Sequence, residues 1–147
     1  MIVGEKAPDF KLIDQDGKPF RLLENIRDGI VLVFYPRDET AVCTKQLCEY
    51  SFNYDEFVKL GFQVVGISID SVESHKNFSS KYAFHFRILS DSDKSVSRKY
   101  KALSITGMSK RKIVIIDRDG IVRFIDSKLP ILYLKSASLL ETLKSIK

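Results

Sequence analysis

The chain has 147 residues, 44% hydrophobic and 29% charged, which suits one domain, residues 1–147, with a full core and excludes a disordered chain. No apolar run approaches the ~20 residues of a membrane-spanning helix, and residues 1–8 lack the basic-then-apolar layout of a signal peptide, so a cytoplasmic location is the default expectation. The net charge of +5 is scattered along the chain, which reads as a solvated surface and argues against a nucleic-acid face.

In chain order, residues 10–13 and 20–22 flank Asp16-Gly17 and predict a short N-terminal hairpin. Residues 30–35, Ile-Val-Leu-Val-Phe-Tyr, are continuously apolar, the mark of a strand buried on both faces; Pro36 ends it. Leu47, Tyr50, Tyr54, Phe57 and Val58 repeat at three and four, predicting a helix over 44–60 closed by Gly61. Residues 63–69 form a second buried strand, after which Asp70 and Glu73 match a capping box opening a helix that buries Val72, Phe78 and Tyr82. A third strand over 86–89 and a short helix over 92–100 follow. Residues 112–117 and 121–125 pair across Asp119-Gly120, and a last helix starts at Ser138 and buries Leu139, Leu143 and Ile146. Strand–helix–strand units imply parallel pairing with right-handed crossovers, and the hairpins add antiparallel strands. The expected architecture is α/β, a mixed central sheet flanked by helices.

Both cysteines, Cys43 and Cys48, lie just after the turn between the first buried strand and the longest helix. Free N–H groups and the dipole at a helix start favour an anion, and a thiolate is an anion. In regular helix, residues at this spacing hold their Cα atoms roughly 8.7 Å apart, beyond the ~7 Å a disulfide tolerates. The two sulfurs can therefore meet only if the first turn unwinds. Metal binding is poorly supported: Cys-x4-Cys offers two ligands, and His75 and His85 are distant in sequence and read as surface or helix-face residues. No metal or other cofactor is expected.

The string Phe34-Tyr35-Pro36-Arg37-Asp38-x-Thr40-x-x-Cys43-Thr44-x-Gln46-x-Cys48 resembles the active-site pattern of peroxiredoxins, in the bacterioferritin-comigratory-protein branch also called PrxQ. Ala7-Pro8-Asp9-Phe10, Val65-Gly66-Ile67-Ser68 and Leu89-Ser90-Asp91 extend the resemblance over almost the whole chain. It implies a thioredoxin-like fold and a peroxidase acting on hydrogen peroxide or organic hydroperoxides. Cys43 would be the peroxidatic cysteine and Cys48 the resolving one, joined in a disulfide that a thioredoxin-like reductant reopens. Thr40 would hold the peroxide and Pro36 would shield the sulfur from water. The branch's arginine falls on Arg111, with Arg37 and Arg123 as rivals. Alternation puts Arg111 on the strand face of Ile113 and Ile115, opposite Lys112. One departure stands out: Ala41-Val42 replaces the branch's usual Pro-Gly. Three alternatives stay open at this point. They are a thioredoxin-like disulfide reductase, a one-cysteine peroxidase with Cys48 a bystander, and a non-enzymatic binding domain with packing cysteines. A monomer is the default, since the aromatic residues are taken up by core positions.

Overall fold

In the computed structural model, which describes residues 1–146, seven strands form one mixed sheet in the order β2-β1-β5-β4-β3-β6-β7. The strands are β1 (Lys11–Asp14), β2 (Pro19–Arg21), β3 (Gly29–Phe34), β4 (Gln63–Ser68), β5 (Ile88–Ser90), β6 (Arg111–Asp117) and β7 (Val122–Lys128). Six helices lie among the described residues: α1 (Leu22–Asn25), α2 (Ala41–Phe52), α3 (Tyr54–Lys59), α4 (Val72–Tyr82), α5 (Ser95–Lys99) and α6 (Ser136–Ile146). β3, β4 and β5 run parallel; β6 lies antiparallel to β3, and β7 antiparallel to β6. The N-terminal hairpin joins the other edge through an antiparallel β1–β5 pair. This is the thioredoxin-like, mixed α/β sheet expected from the sequence.

The uninterrupted apolar run of β3 is explained by its central place, because every one of its residues is buried. Ile30, Leu32 and Phe34 join one core with Phe10, Phe20 and Tyr100, beneath α1, α5 and the N-terminal hairpin. Val31, Val33 and Tyr35 join the opposite core with Leu47, Phe57, Phe78 and Leu143, from α2, α3, α4 and α6. Both predicted hairpins form, and both use the same device. Asp14 Oδ1 accepts the N–H groups of Asp16 and Lys18, and Asp117 Oδ1 accepts those of Asp119 and Ile121, so each aspartate ties its own turn.

Several boundaries differ from expectation. The predicted helix over 44–60 is two, broken at Asn53, whose Nδ2 donates to the Glu49 carbonyl and to Ser136 Oγ, both at 3.0 Å. A side chain that bonds its own helix carbonyl offers the backbone an alternative to continuing the helix. α2 also begins earlier, at Ala41, so Cys43 is inside it, and Val58 faces solvent. Asp70 does not cap α4. Ser71 does, accepting the Ser74 N–H at 3.1 Å, because the Asp70 carboxylate is occupied by the Asp38 N–H and the Ser68 hydroxyl. β5 starts two residues later than the predicted strand over 86–89, and α5 is shorter than the predicted 92–100. α6 starts at Ser136 and buries Leu140 beside Leu139 and Leu143, while Ile146 is only partly buried.

Gly66 in β4 marks a close approach: a Cβ there would lie 2.9 Å from Ile88 Cγ2 and 3.2 Å from the Tyr35 ring. Neither neighbour can rotate away, since one is β-branched and the other fully buried. Gly66→Ala is expected to cost about 1–3 kcal/mol of stability, seen as a lower urea midpoint at unchanged m-value.

Candidate active site

The carboxyl end of β3 delivers the chain to a short loop, residues 36–40, from which α2 rises. Tyr35 still donates its N–H to the Ile67 carbonyl at 3.0 Å; Pro36, with no N–H to give, takes the chain off the sheet. Thr40 has extended backbone (φ −74, ψ 153) at the N-cap, but its hydroxyl donates to the Arg37 carbonyl at 3.1 Å and does not cap the helix. The first helical bond runs from the Thr44 N–H to the Thr40 carbonyl at 2.9 Å. The N–H groups of Ala41, Val42 and Cys43 therefore precede the helical ladder and point toward the loop. Cys43 is the third residue of α2 and is fully buried.

Arg111, the first residue of β6, meets it there. Its Nη2 lies 3.2 Å from Cys43 Sγ, its Nη1 donates to Gln46 Oε1 at 2.8 Å, and Nε and Nη2 donate to the Pro130 carbonyl at 3.0 and 2.7 Å. Only 3% of Arg111 is exposed, so these four contacts replace water around the cation. Its neighbour Lys112 points to the opposite face and donates to the Tyr100 carbonyl at 2.7 Å, where burial lowers its pKa. The rivals sit elsewhere. Arg37 is exposed at the rim of the pocket, and Arg123 pairs with Asp117 at 3.3 Å.

Arg111 also lines an open pocket of about 320 Å³, together with Pro36, Thr40, Val42, Met108 and Pro130 among others; Cys43 itself is buried behind that lining. The structure thus brings Pro36, Thr40, Cys43 and Arg111 together at one place. Cys48 is not among them. It lies further along α2, half-buried against the core, with its thiol pKa raised by burial, and both thiols are free. Regular helix keeps the two cysteines at the roughly 8.7 Å Cα separation set by their spacing.

Three contributors were not singled out from the sequence. Gln46 stands in the motif string and follows Cys43 by three, so a helix puts both on one face. The Pro130 carbonyl comes from the segment after β7, and no sequence pattern marks it. His75, expected at the surface or on a helix face, is fully buried beneath the loop, with its Nδ1 2.7 Å from Asp38 Oδ2.

The sequence matches the AhpC/TSA family over residues 3–125. It is 40% identical over 124 residues to "Peroxiredoxin Q, chloroplastic" of Arabidopsis thaliana, covering 83% of this chain and 57% of that protein. The match to the Sedum lineare protein of the same name is also 40%, covering 83% of this chain and 67% of that one. The chain thus spans little more than half the length of the first of these relatives. Among solved structures, peroxidoxin BcpB from Mycobacterium tuberculosis superimposes with a TM-score of 0.89 at 32% identity, covering 100% of this chain and 99% of that one. A reduced Plasmodium vivax 2-Cys peroxiredoxin superimposes with a TM-score of 0.92 at 27% identity, covering 99% and 82%. With a family match across most of its length and relatives identical at 40% of the aligned residues, the chain belongs to the AhpC/TSA family, within the peroxiredoxin Q branch.

Proposed function

We propose that the protein is a thiol-dependent peroxidase that reduces hydrogen peroxide and organic hydroperoxides. The observation that carries this is the buried Arg111 guanidinium 3.2 Å from Cys43 Sγ, at a helix start, with Arg111 itself lining a small pocket. A cation and free N–H groups stabilise a sulfur anion before reaction and the oxyanion that develops during it. The Cys43 thiolate attacks the distal oxygen of the peroxide; an S–O bond forms, the O–O bond breaks, and the leaving alkoxide or hydroxide takes a proton. Thr40 turns its hydroxyl from the Arg37 carbonyl to the peroxide, and Pro36 keeps water from the sulfur.

The product at Cys43 is a sulfenic acid. The Cys48 thiol gives up its proton and attacks that sulfur; the S–S bond forms, the S–O bond breaks, and the departing hydroxide takes up a proton and leaves as water. The attack requires the first turn of α2 to open, since the helix holds the partners too far apart. A thioredoxin-like dithiol reopens the bond by exchange and is itself oxidised. Val42 and Met108 on the pocket wall give an organic hydroperoxide an apolar surface to lie against. A thioredoxin-like disulfide reductase has less support, because the chain has Cys-x4-Cys in place of the Cys-x-x-Cys pair, and only Cys43 touches Arg111.

Oxidation of the reduced protein by one equivalent of hydrogen peroxide, followed by mass spectrometry, tests the proposal. The expected result is a loss of two hydrogens in the peptide spanning residues 43–48, no reaction in Cys43→Ser, and a trapped sulfenic acid in Cys48→Ser. An unreactive Cys43 sinks the peroxidase, and normal thioredoxin-linked turnover by Cys48→Ser makes it a one-cysteine enzyme.

The Ala41 position supplies a second test. Thr40 already has the extended backbone that precedes proline, and Ala41 is the first helical residue, where a missing N–H breaks no helical hydrogen bond. Ala41→Pro should stabilise the folded turn by about 0.4–1 kcal/mol. Disulfide closure should then slow about two- to fivefold, and sulfinic acid should accumulate more readily at high peroxide, both readable by quenched-flow mass spectrometry.

The third concerns pH. Burial raises the Cys48 thiol pKa, so in the folded helix its thiolate forms at higher pH than that of an unperturbed cysteine. In Cys43→Ser, alkylation of Cys48 by iodoacetamide should rise with pH to a midpoint higher than that of a free cysteine peptide. A midpoint at or below the peptide's would contradict the packing described for Cys48.

A further inference from the structure

We propose that His75 is a positioning residue for Cys43, acting through Asp38 to hold the loop of residues 36–40 in the shape from which the first turn of α2 grows. The proposal rests on the peroxidase function above. It starts from four hydrogen bonds that converge on one loop residue.

Asp38 is 7% exposed. Its N–H donates to Asp70 Oδ2 at 2.8 Å. Its Oδ1 accepts the Tyr35 hydroxyl at 2.6 Å, and its Oδ2 accepts the Ser74 hydroxyl at 2.7 Å and faces His75 Nδ1 at 2.7 Å. Tyr35 keeps its proton, because burial and then the Asp38 carboxylate raise its pKa well above the ordinary tyrosine value. Asp38, Asp70 and His75 offer ligand atoms within 4.8 Å of one another, as a metal site would. Both Asp38 oxygens and Asp70 Oδ2 already accept an N–H or O–H, however, and His75 Nδ1 is taken up by Asp38 Oδ2, so the cluster is a closed hydrogen-bonded hub.

The ring of His75 fixes the hub to the sheet. Its Nε2 lies 2.9 Å from the Leu89 carbonyl, which can only accept, so Nε2 carries a proton. On the other side a proton must also lie between Nδ1 and the carboxylate, or two lone pairs would face each other at 2.7 Å. His75 is therefore a rigid strut between β5 and the loop. The loop needs one. Glu39, next to Asp38, is held at φ 60, a left-handed conformation that is unfavourable for a residue with a side chain. Its Lys81 partner at 3.2 Å is exposed, so that contact adds little. Asp38 is the buried anchor immediately before the strained residue, and Thr40, Ala41 and Cys43 follow directly.

The test is the second-order rate of Cys43 oxidation by hydrogen peroxide, measured with the rate of disulfide closure that follows. His75→Ala should slow oxidation about 100-fold, the scale of an ångström of misplacement, while closure runs at least as fast as in the wild type because the turn is held less firmly. Asp38→Asn can keep every contact by accepting from Tyr35 and donating to a neutral ring and to the Ser74 hydroxyl oxygen, which turns from donor to acceptor, and should hold the oxidation rate to within about threefold of the wild type. Val122→Ala, a core truncation in β7 on the far face of the sheet, serves as the stability control. If His75→Ala does not fold, His75→Gln retains a donor toward Leu89 and drops the one toward Asp38, and the same slowing is expected. Wild-type oxidation in the His75 variants, or equal slowing in the Val122→Ala control, overturns the positioning role and leaves the peroxidase standing. An inert wild-type protein removes both.

Discussion

A guanidinium buried in the apolar face of a sheet has to find acceptors for its N–H groups, and much of the site follows from how Arg111 does so. Two of its contacts go to one carbonyl, at Pro130, and a third to the amide oxygen of Gln46. Neither partner carries charge. The remaining direction is filled by Cys43 Sγ, which is also the only one of these groups that can become an anion. A neutral thiol is a weak acceptor and leaves the cation uncompensated, whereas a thiolate completes the set. Buried arginine and reactive sulfur thus support one another, and the carbonyl and amide serve to aim the cation.

In the proposed cycle the same helix start has two incompatible duties: folded, it presents Cys43 to Arg111; opened, it lets Cys43 reach Cys48. The contacts around it are divided accordingly. The loop before the helix is pinned from below by buried groups, Asp38, Tyr35 and His75, while the first turn itself has no side-chain cap, because the Thr40 hydroxyl bonds Arg37. An uncapped first turn on a fixed loop is free to fray without the sheet moving.

The architecture was legible because β3 is buried on both faces and reads as an unbroken apolar run, and because aspartate–glycine pairs mark both hairpins. Arg111 could be aimed from sequence, since strand alternation separates it from Lys112 once Ile113 and Ile115 are known to be core. What escaped was long-range. Asp70 looks like a helix cap locally, but an N–H 32 residues away claims its carboxylate. His75 looks like any polar residue on an amphipathic helix until tertiary packing closes over it and supplies Asp38 and Leu89 as partners. The helix break at Asn53 depends on Ser136, from the other end of the chain. Periodicity reports burial; it does not report which distant group a buried polar atom will meet.

The pairing of β6 with β3 has a further meaning. Phe34 faces Lys112 and Val33 faces Ile113 across the ladder, so Arg111 emerges on the Cys43 side and Lys112 on the Tyr100 side by strand parity alone. A slip of one residue would exchange them. The lysine would bring a point charge where a planar fork now spans sulfur, amide and carbonyl, and the arginine would be driven into a cleft shaped for an ammonium. The contact between Arg111 and Cys43 is therefore phase-locked to the sheet: a one-residue slip of β6 against β3 would break it while leaving every residue of the motif in place.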